Sequence, residues 1–212
     1  MKKLVIAISG ASGAPYAQRL LAILAQRDFG IEVQVSLVLS RTAEQVFVHE
    51  CGMSPRDLGL PVYDGRDYSA PFASGSSAAD AMVVVPASMS AIARIAHGIS
   101  DDLLTRTADV MLKERRPLLL VPRESPYSSI HLENMLAVTR AGAILIPASP
   151  SFYARPVTLQ DAIDSVLARV LDHIGLPNAL AKRWGQDVHM SPAALDGAVA
   201  TTDLESAAAE EE

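Results

Sequence analysis

A cation and a carboxylate stand side by side at Arg123-Glu124, immediately after the apolar run 118–121 and Pro122. An arginine in that position leaves a buried strand and is not ordinary surface decoration. Glu124 can serve as its ion-pair partner. Held against an anion, it would instead have a raised pKa and could pass a proton. Four other apolar runs end in a similar way. Residues 4–8 lead into Ser9-Gly10-Ala11-Ser12-Gly13-Ala14-Pro15 and 33–39 into Ser40-Arg41. Residues 82–85 lead into Pro86-Ala87-Ser88-Met89-Ser90, and 143–146 into Pro147-Ala148-Ser149-Pro150. Ligands of open parallel sheets bind beyond the carboxyl ends of the strands. Five such exits would converge on one crevice fitted to a phosphate-bearing ligand.

The glycine-rich stretch 10–15 joins a strand to a helix N-terminus, where free N–H groups and the helix dipole favour an anion. It also reads as a plain strand-to-helix turn, although Ser12 adds a hydroxyl that such a turn does not require. It is neither GxGxxG nor GxxxxGK[ST], so it supports neither a dinucleotide fingerprint nor an ATP loop. Arg106 and Lys113 are seven residues apart, on one face of a helix, with Asp102 and Asp109 available to neutralise them. With Arg123, Arg169 and Tyr153 they supply the donors for a phosphate dianion. Glu50 closes a helix and reads most simply as a surface residue. His49, His97, His131, His173 and His189 lack metal-ligand spacing, and Cys51 has no cysteine partner, so no zinc site is expected. Asp101-Asp102 lacks the further acids of a magnesium-diphosphate motif, and no GxSxG elbow is present.

Helices must carry these residues between the strands. The spacing of apolar residues predicts helices over 15–27, 42–51, 101–115, 130–141 and 158–174. In the last, Thr158 caps the start, Leu159, Ile163, Val166, Val170 and Ile174 form the apolar face, and Gly175 ends it. Strand and helix alternate throughout, which predicts a single-domain, doubly wound, Rossmann-like or flavodoxin-like α/β fold with a parallel sheet covered on both faces. Residues 64–80, with Ala73-Ser74-Gly75-Ser76-Ser77, are too small and polar to pack and read as a mobile loop. Residues 1–185 are expected to form the domain and 186–212 a largely disordered tail.

Half of the 212 residues are hydrophobic and only 5% aromatic, the composition of a parallel-sheet core. The net charge of −6 arises largely in the last twelve residues, which hold five acids and no base. The remainder is nearly neutral, which argues against general nucleic-acid binding. A single cysteine fits a reducing compartment. The apolar stretch after Met1-Lys2-Lys3 is too short for a secretory signal, and no run approaches a membrane span, so the expected location is cytoplasmic.

Several segments taken together resemble the UbiX/Pad-type flavin prenyltransferases. They are Ser9-Gly10-Ala11-Ser12-Gly13-Ala14, Ala73-Ser74-Gly75-Ser76-Ser77, Leu112-Lys113-Glu114-Arg115-Arg116-Pro117-Leu118 and Val121-Pro122-Arg123-Glu124. Ser128-Ser129-Ile130-His131-Leu132-Glu133-Asn134-Met135 and Arg183-Trp184-Gly185 extend the match to most of the chain. The resemblance implies metal-independent transfer of a dimethylallyl group from dimethylallyl monophosphate to N5 and C6 of reduced FMN. The resulting prenylated FMN would serve a separate UbiD-type decarboxylase. It further implies FMN contacts from Gly10, Ala11, Ser12, Ser40, Ser88, Met89, Ser90, Ala91 and Arg123. Tyr153 and Arg169 would hold the prenyl phosphate, with Arg106, Lys113 and Arg123 around it. Ser12, Glu50 and Glu124 would handle protons and the leaving group, and a homo-dodecamer would place the flavin between subunits.

The chain departs from that family at Tyr68, where tryptophan is common, at Ala91, where threonine is common, and at Arg41, where lysine is frequent. A phenol is a weaker partner for an allylic cation than an indole. The alternative is a flavin-dependent decarboxylase of a cysteine-containing peptide or of phosphopantothenoylcysteine. Those relatives carry asparagine where Met89-Ser90 stands here, which weighs against decarboxylation.

Overall fold

The computed structural model describes residues 1–188 apart from 27 and 78. Two compact units are present, Met1–Ala181 and a second beginning at Lys182. The first contains strands β1 (Lys2–Ile8), β2 (Val33–Leu39), β3 (Val62–Asp64), β4 (Ala81–Ala87), β5 (Leu118–Pro122) and β6 (Ile144–Leu145). Its helices are α1 (Ala14–Gln26), α2 (Ala43–Cys51), α3 (Met89–Ala96), α4 (Leu103–Lys113), α5 (Ser129–Ala141) and α6 (Leu159–His173). Every strand pair is parallel and the order is β3-β2-β1-β4-β5-β6. The order reverses between β1 and β4, and at such a switch point the two crossovers leave to opposite faces and open a crevice.

Alternation along β1 shows how the sheet divides the core. Leu4, Ile6 and Ile8 face a layer built on α1, α2 and α6, whereas Val5 and Ala7 face one built on α3 and α4. All five residues are buried, so β1 is a near-continuous hydrophobic run, as a strand covered on both faces must be. Phe47 of α2 and Leu20 of α1 are fully buried on the first side, and Met111 and Leu104 of α4 on the second. Burying side chains of this size contributes roughly 1.5–3 kcal/mol each. Arg19 of α1 ties α6 to this layer through a two-pronged pair with the buried Asp164, both bonds 2.8 Å.

Most expected helices are present, with their first residues acting as caps. Asp102 accepts the Thr105 N–H at 2.8 Å, and Thr158 accepts that of Asp161 at 3.1 Å. Each is half of a reciprocal capping box, so each stands just before its helix. The start at residue 42 likewise moves to Ala43, and the end expected at Arg27 lies outside the described residues. Leu159 does not belong to the apolar face of α6, being 76% exposed. The buried stripe there is Ile163, Val166, Leu167, Val170 and Leu171.

The segment 64–80 is not simply a mobile loop. Asp64 ends β3, turns of 3-10 helix occupy Pro71–Ala73 and Gly75–Ser77, and Ala70, Phe72 and Ala79 are buried. Phe72 meets the Tyr63 ring edge-on at 5.0 Å between centroids, which anchors the loop to the sheet. In the second unit the described residues 182–188 form a turn closed by a bridge between Trp184 and Val188. The tail expected from residue 186 lies, from 189 onward, outside the described residues.

Candidate functional site at the carboxyl ends of the strands

Ser9 stitches the switch point together. Its hydroxyl donates to the Pro86 carbonyl at 2.7 Å and accepts the Ser88 N–H at 2.7 Å, joining the end of β1 to that of β4. Beside this stitch lies a cavity of about 830 Å³ at the exits of β1, β2, β3 and β4. Gly10, Ser40, Ser88 and Ser90 line it, as do four arginines and four carboxylates. Gly10 is required by close approach: a Cβ there would lie 2.0 Å from Thr42 Oγ1. Ser88 caps α3, accepting the Ala91 N–H at 3.3 Å, and so aims the start of that helix at the cavity. The start of α3 was invisible in the sequence, because Pro86-Ala87-Ser88 was read only as a strand exit.

The N-terminus of α1 is already satisfied by the protein. Glu50, on the last turn of α2, accepts the Gly13 N–H at 2.9 Å and the Ala14 N–H at 2.7 Å on one oxygen. The anion expected there from a ligand is thus an internal carboxylate, and Glu50 is no bystander on the surface. Burial works against its ionisation. The Ser12 hydroxyl, the two amides and the Arg123 charge outweigh that cost, and its pKa falls below the ordinary glutamate value. Burial, with the same carboxylate beside it, pushes the Cys51 thiol up. Arg123 leaves the end of β5, its Cγ 3.7 Å from where a Gly13 Cβ would lie. Glu124 is exposed and accepts the Ser125 N–H at 3.0 Å. Ser12, Glu50 and Arg123 therefore gather where β1 and β5 end, and Glu124 follows Arg123 in the chain.

Other predicted contacts fall elsewhere. Met89 and Ala91 are buried in the core, so they can offer only backbone. Ala11 is half-buried in the loop after β1, and Tyr68 is 49% exposed in the loop after β3. Arg106 donates to the Ala73 carbonyl and pairs with Asp109, each at 3.0 Å, and does not line the cavity. Lys113 pairs with Glu114 at the far end of α4. A Cβ at Gly75 would meet the ends of both side chains, so the small-residue loop passes close beside this pair. Asp102 at the start of α4 lines the cavity; eleven helical residues later, Lys113 is about 16 Å further on. Arg169 and Tyr153 belong to α6 and the loop before it, and α6 packs on the face of the sheet opposite α4. Arg169 pairs with Asp172 at 3.1 Å. A single chain thus brings the glycine, serine and glutamate positions together but does not unite Arg106 and Lys113 with Tyr153 and Arg169.

Sequence reasoning missed Ser9, Arg56, Arg66 and Arg94. Ser9 shows in the sequence only as the first residue after an apolar run, with no sign of the bonds it makes. The arginines line the cavity from the segments flanking β3 and from α3, elements too short or too polar to register as periodic. No group of three or more potential metal ligands occurs among the described residues, and no helix is long and apolar enough to cross a membrane.

Comparison with known proteins accords with this geometry. The family model described as Flavoprotein matches residues 1–173. A flavin prenyltransferase UbiX of Methanocaldococcus jannaschii is 44% identical over 186 residues, covering 86% of this chain and 98% of that protein. A UbiX crystal structure in complex with FMN and dimethylallyl pyrophosphate superposes with a TM-score of 0.81 at 44% identity, covering 86% of this chain and 97% of the other. A dodecameric FMN-dependent UbiX-like decarboxylase from Escherichia coli O157:H7 gives 0.80 at 42% identity, with 86% and 98% covered.

Proposed function

The chain belongs to the flavoprotein family, among its UbiX flavin prenyltransferases, and on that footing we propose that it transfers a dimethylallyl group from a dimethylallyl phosphate to N5 and C6 of reduced FMN. The observation that carries the reading is the strand-end cavity, with the Ser12–Glu50–Arg123 cluster beside it. Its volume and its mixture of glycine backbone, hydroxyls and arginines fit a flavin mononucleotide. Gly10, Ala11, Ser12, Ser40, Ser88, Ser90 and Arg123 would hold it, with Met89 and Ala91 contributing main chain. Reduced FMN supplies the nucleophile when bound, so the protein needs none of its own.

The protein's share of the work is electrostatic. Breaking the allylic C–O bond leaves the electron pair on phosphate, and fixed cations that hold the departing charge are the main source of acceleration in such a step. Arg123 supplies one such charge at the end of β5. Arg106, Lys113 and Arg169 supply the rest, with the Tyr153 hydroxyl as a neutral donor, contributed by neighbouring copies in an assembly like the dodecamer of the E. coli relative. Ionised Glu50 accepts a proton through the Ser12 hydroxyl, and Glu124 exchanges one with the leaving phosphate. Tyr68 shields the allyl group with a less electron-rich ring than indole. Residues 1–185 are the working domain in this reading. The product is delivered to a UbiD-type decarboxylase in the cytoplasm.

Anaerobic incubation with reduced FMN and dimethylallyl monophosphate, followed by mass measurement of the flavin, tests the assignment. A gain of one prenyl unit is expected. An unchanged flavin, with both the monophosphate and the diphosphate tried, would refute it.

A further inference from the structure

Two helices on one face of the sheet carry separate parts of the expected machinery. α1 begins at Ala14, where Glu50 accepts the Gly13 and Ala14 N–H groups beside Ser12. α6 carries Arg169 and follows the loop that holds Tyr153. α1 follows β1 and α6 follows β6 in an all-parallel sheet, and the end of α6 returns to the start of β1, where Lys2 Nζ donates to the Ile174 carbonyl. Both helices therefore run from the carboxyl ends of the strands toward the amino ends.

The core they share is apolar, with Ala17, Leu20 and Leu24 from α1 and Ile163, Leu167 and Val170 from α6. Apolar burial is non-directional, so it specifies the rotation and register of one helix on another only loosely. The Arg19–Asp164 pair is directional. Arg19 Nε donates to Asp164 Oδ1 and Nη2 to Oδ2, each at 2.8 Å, and such a fork fixes both separation and orientation. Asp164 is buried, so little water competes for it. Arg19 is the sixth residue of α1 and Asp164 the sixth of α6, so the fork sets the two helix starts level, each roughly 7.5 Å away.

The next residue extends this hold to the loop. Ser165 Oγ accepts the Ser151 N–H at 3.2 Å and donates to the Ala162 carbonyl at 2.7 Å, which fastens the chain two residues before Tyr153. Arg169 lies about one turn beyond Ser165. It is steered by Asp172 at 3.1 Å, whose other oxygen accepts from Asn178 at 3.0 Å. None of Arg19, Asp164 and Ser165 lines the strand-end cavity.

We propose that Arg19, Asp164 and Ser165 are positioning residues for the prenyl donor, holding Tyr153 and Arg169 in a fixed frame relative to the Ser12–Glu50 end of the same chain. This rests on the prenyl-transfer reading and adds to it residues that touch neither flavin nor donor. In that reading the donor phosphate sits where copies meet. A tilt of α6 on its own subunit then displaces Tyr153 and Arg169 at the site they serve in the next. A displacement of about 1 Å can cost on the order of a hundredfold in rate. Tyr153 and Arg169 hold the phosphate both before and after the C–O bond breaks, so their misplacement weakens ground state and transition state alike and is read in KM.

Steady-state prenyl transfer at varied dimethylallyl monophosphate, with fluorescence titration of FMN, tests it in Arg19→Lys and Ser165→Ala. Arg19→Lys keeps the charge and loses the fork, whereas Ser165→Ala leaves the ion pair intact and releases the loop. Both should raise the donor KM, by about tenfold for Arg19→Lys, with kcat and FMN affinity within about twofold of the wild type. A purely structural role gives the reverse: less folded enzyme lowers the apparent kcat and leaves KM where it was. With Arg169→Ala and Tyr153→Phe already in place, Arg19→Lys should no longer move KM, because the groups it positions are gone. An Arg19→Lys protein with the wild-type donor KM, or one whose KM still rises by the same factor in that background, would overturn this inference alone. If Arg19→Lys does not fold, Ser165→Ala decides in the same sense: a raised donor KM upholds the inference and an unchanged one overturns it. A wild-type protein that transfers no prenyl unit from either the monophosphate or the diphosphate would overturn the prenyl-transfer reading, and this inference with it.

Discussion

Glu50 is the residue on which the local chemistry turns, because it serves two ends at once. It caps α1 through two backbone amides and receives the Ser12 hydroxyl beside Arg123. Its folded pKa is depressed, so the stabilisation it provides is complete above the unfolded value near 4.5 and is lost as pH falls through the folded value. Glu50→Gln should therefore cost about 1 kcal/mol at neutral pH, comparable to loss of a helix cap. Denaturant titrations at pH 7 and below pH 4 should show the gap between variant and wild type closing on acidification. A constant gap would mean that the carboxylate charge has no part in the capping. Glu124 lies apart from this network, with only its neighbour's amide as a recorded partner. Glu124→Ala is accordingly expected to keep wild-type FMN affinity while turnover falls by about a hundredfold, the usual worth of a positioned proton donor. Lost flavin binding with an intact rate would remove Glu124 from the proton chemistry.

At the scale of elements, the site exists because the exit of β1 passes close against the start of α2. Gly10 passes so close to the α2 cap residue that a methyl group would overlap Thr42 Oγ1. Gly10→Ala should push Thr42 into the cavity mouth and weaken FMN binding at least tenfold, since closely packed surroundings yield little. Adding Thr42→Ala should restore part of that affinity, measured by the same flavin titration. A double variant no better than Gly10→Ala would place the fault in the backbone. This contact also marks what the sequence could and could not reveal. The strands β1, β2, β4 and β5 were legible because both of their faces are covered, which makes each a near-continuous apolar run. The exits after them were legible for the same reason. β3 has three residues and α3 follows its strand without a break, so neither carried enough residues to show a period. The sequence marks Glu50 as a candidate but hides its partner, because the bond from Gly13 to Glu50 spans 37 residues. No local pattern encodes such a contact.

At the scale of the whole molecule, one chain presents only part of the expected machinery and much uncovered apolar surface. Ile130, Leu132 and Leu136 on α5 are each at least half exposed, with Tyr127 beside them. A helix whose buried residues are only Asn134 and Val138 is poorly paid for by its own subunit, and such a surface is characteristic of an interface. The division of site residues points the same way. Glu124 lies at the carboxyl end of β5, whereas Lys113 lies at the opposite end of α4, near Asp80 and Arg116, which precede the amino ends of β4 and β5. If Lys113 of one copy works with Glu124 of another, the two defects must complement. Lys113→Ala and Glu124→Ala proteins, each impaired alone, should regain activity when coexpressed in equal amounts. Random mixing leaves about a quarter of the sites with both side chains intact when the two residues come from different chains of a closed assembly. If both came from one chain, every chain would carry one lesion and mixing would restore nothing. Leu132→Asp supplies the companion result. It should shift the assembly toward smaller species in light scattering and reduce prenyl transfer, because a charge on the apolar face of α5 would oppose an interface formed through that face. An undisturbed assembly with full activity would instead leave α5 as an outer surface and require another face to complete the site.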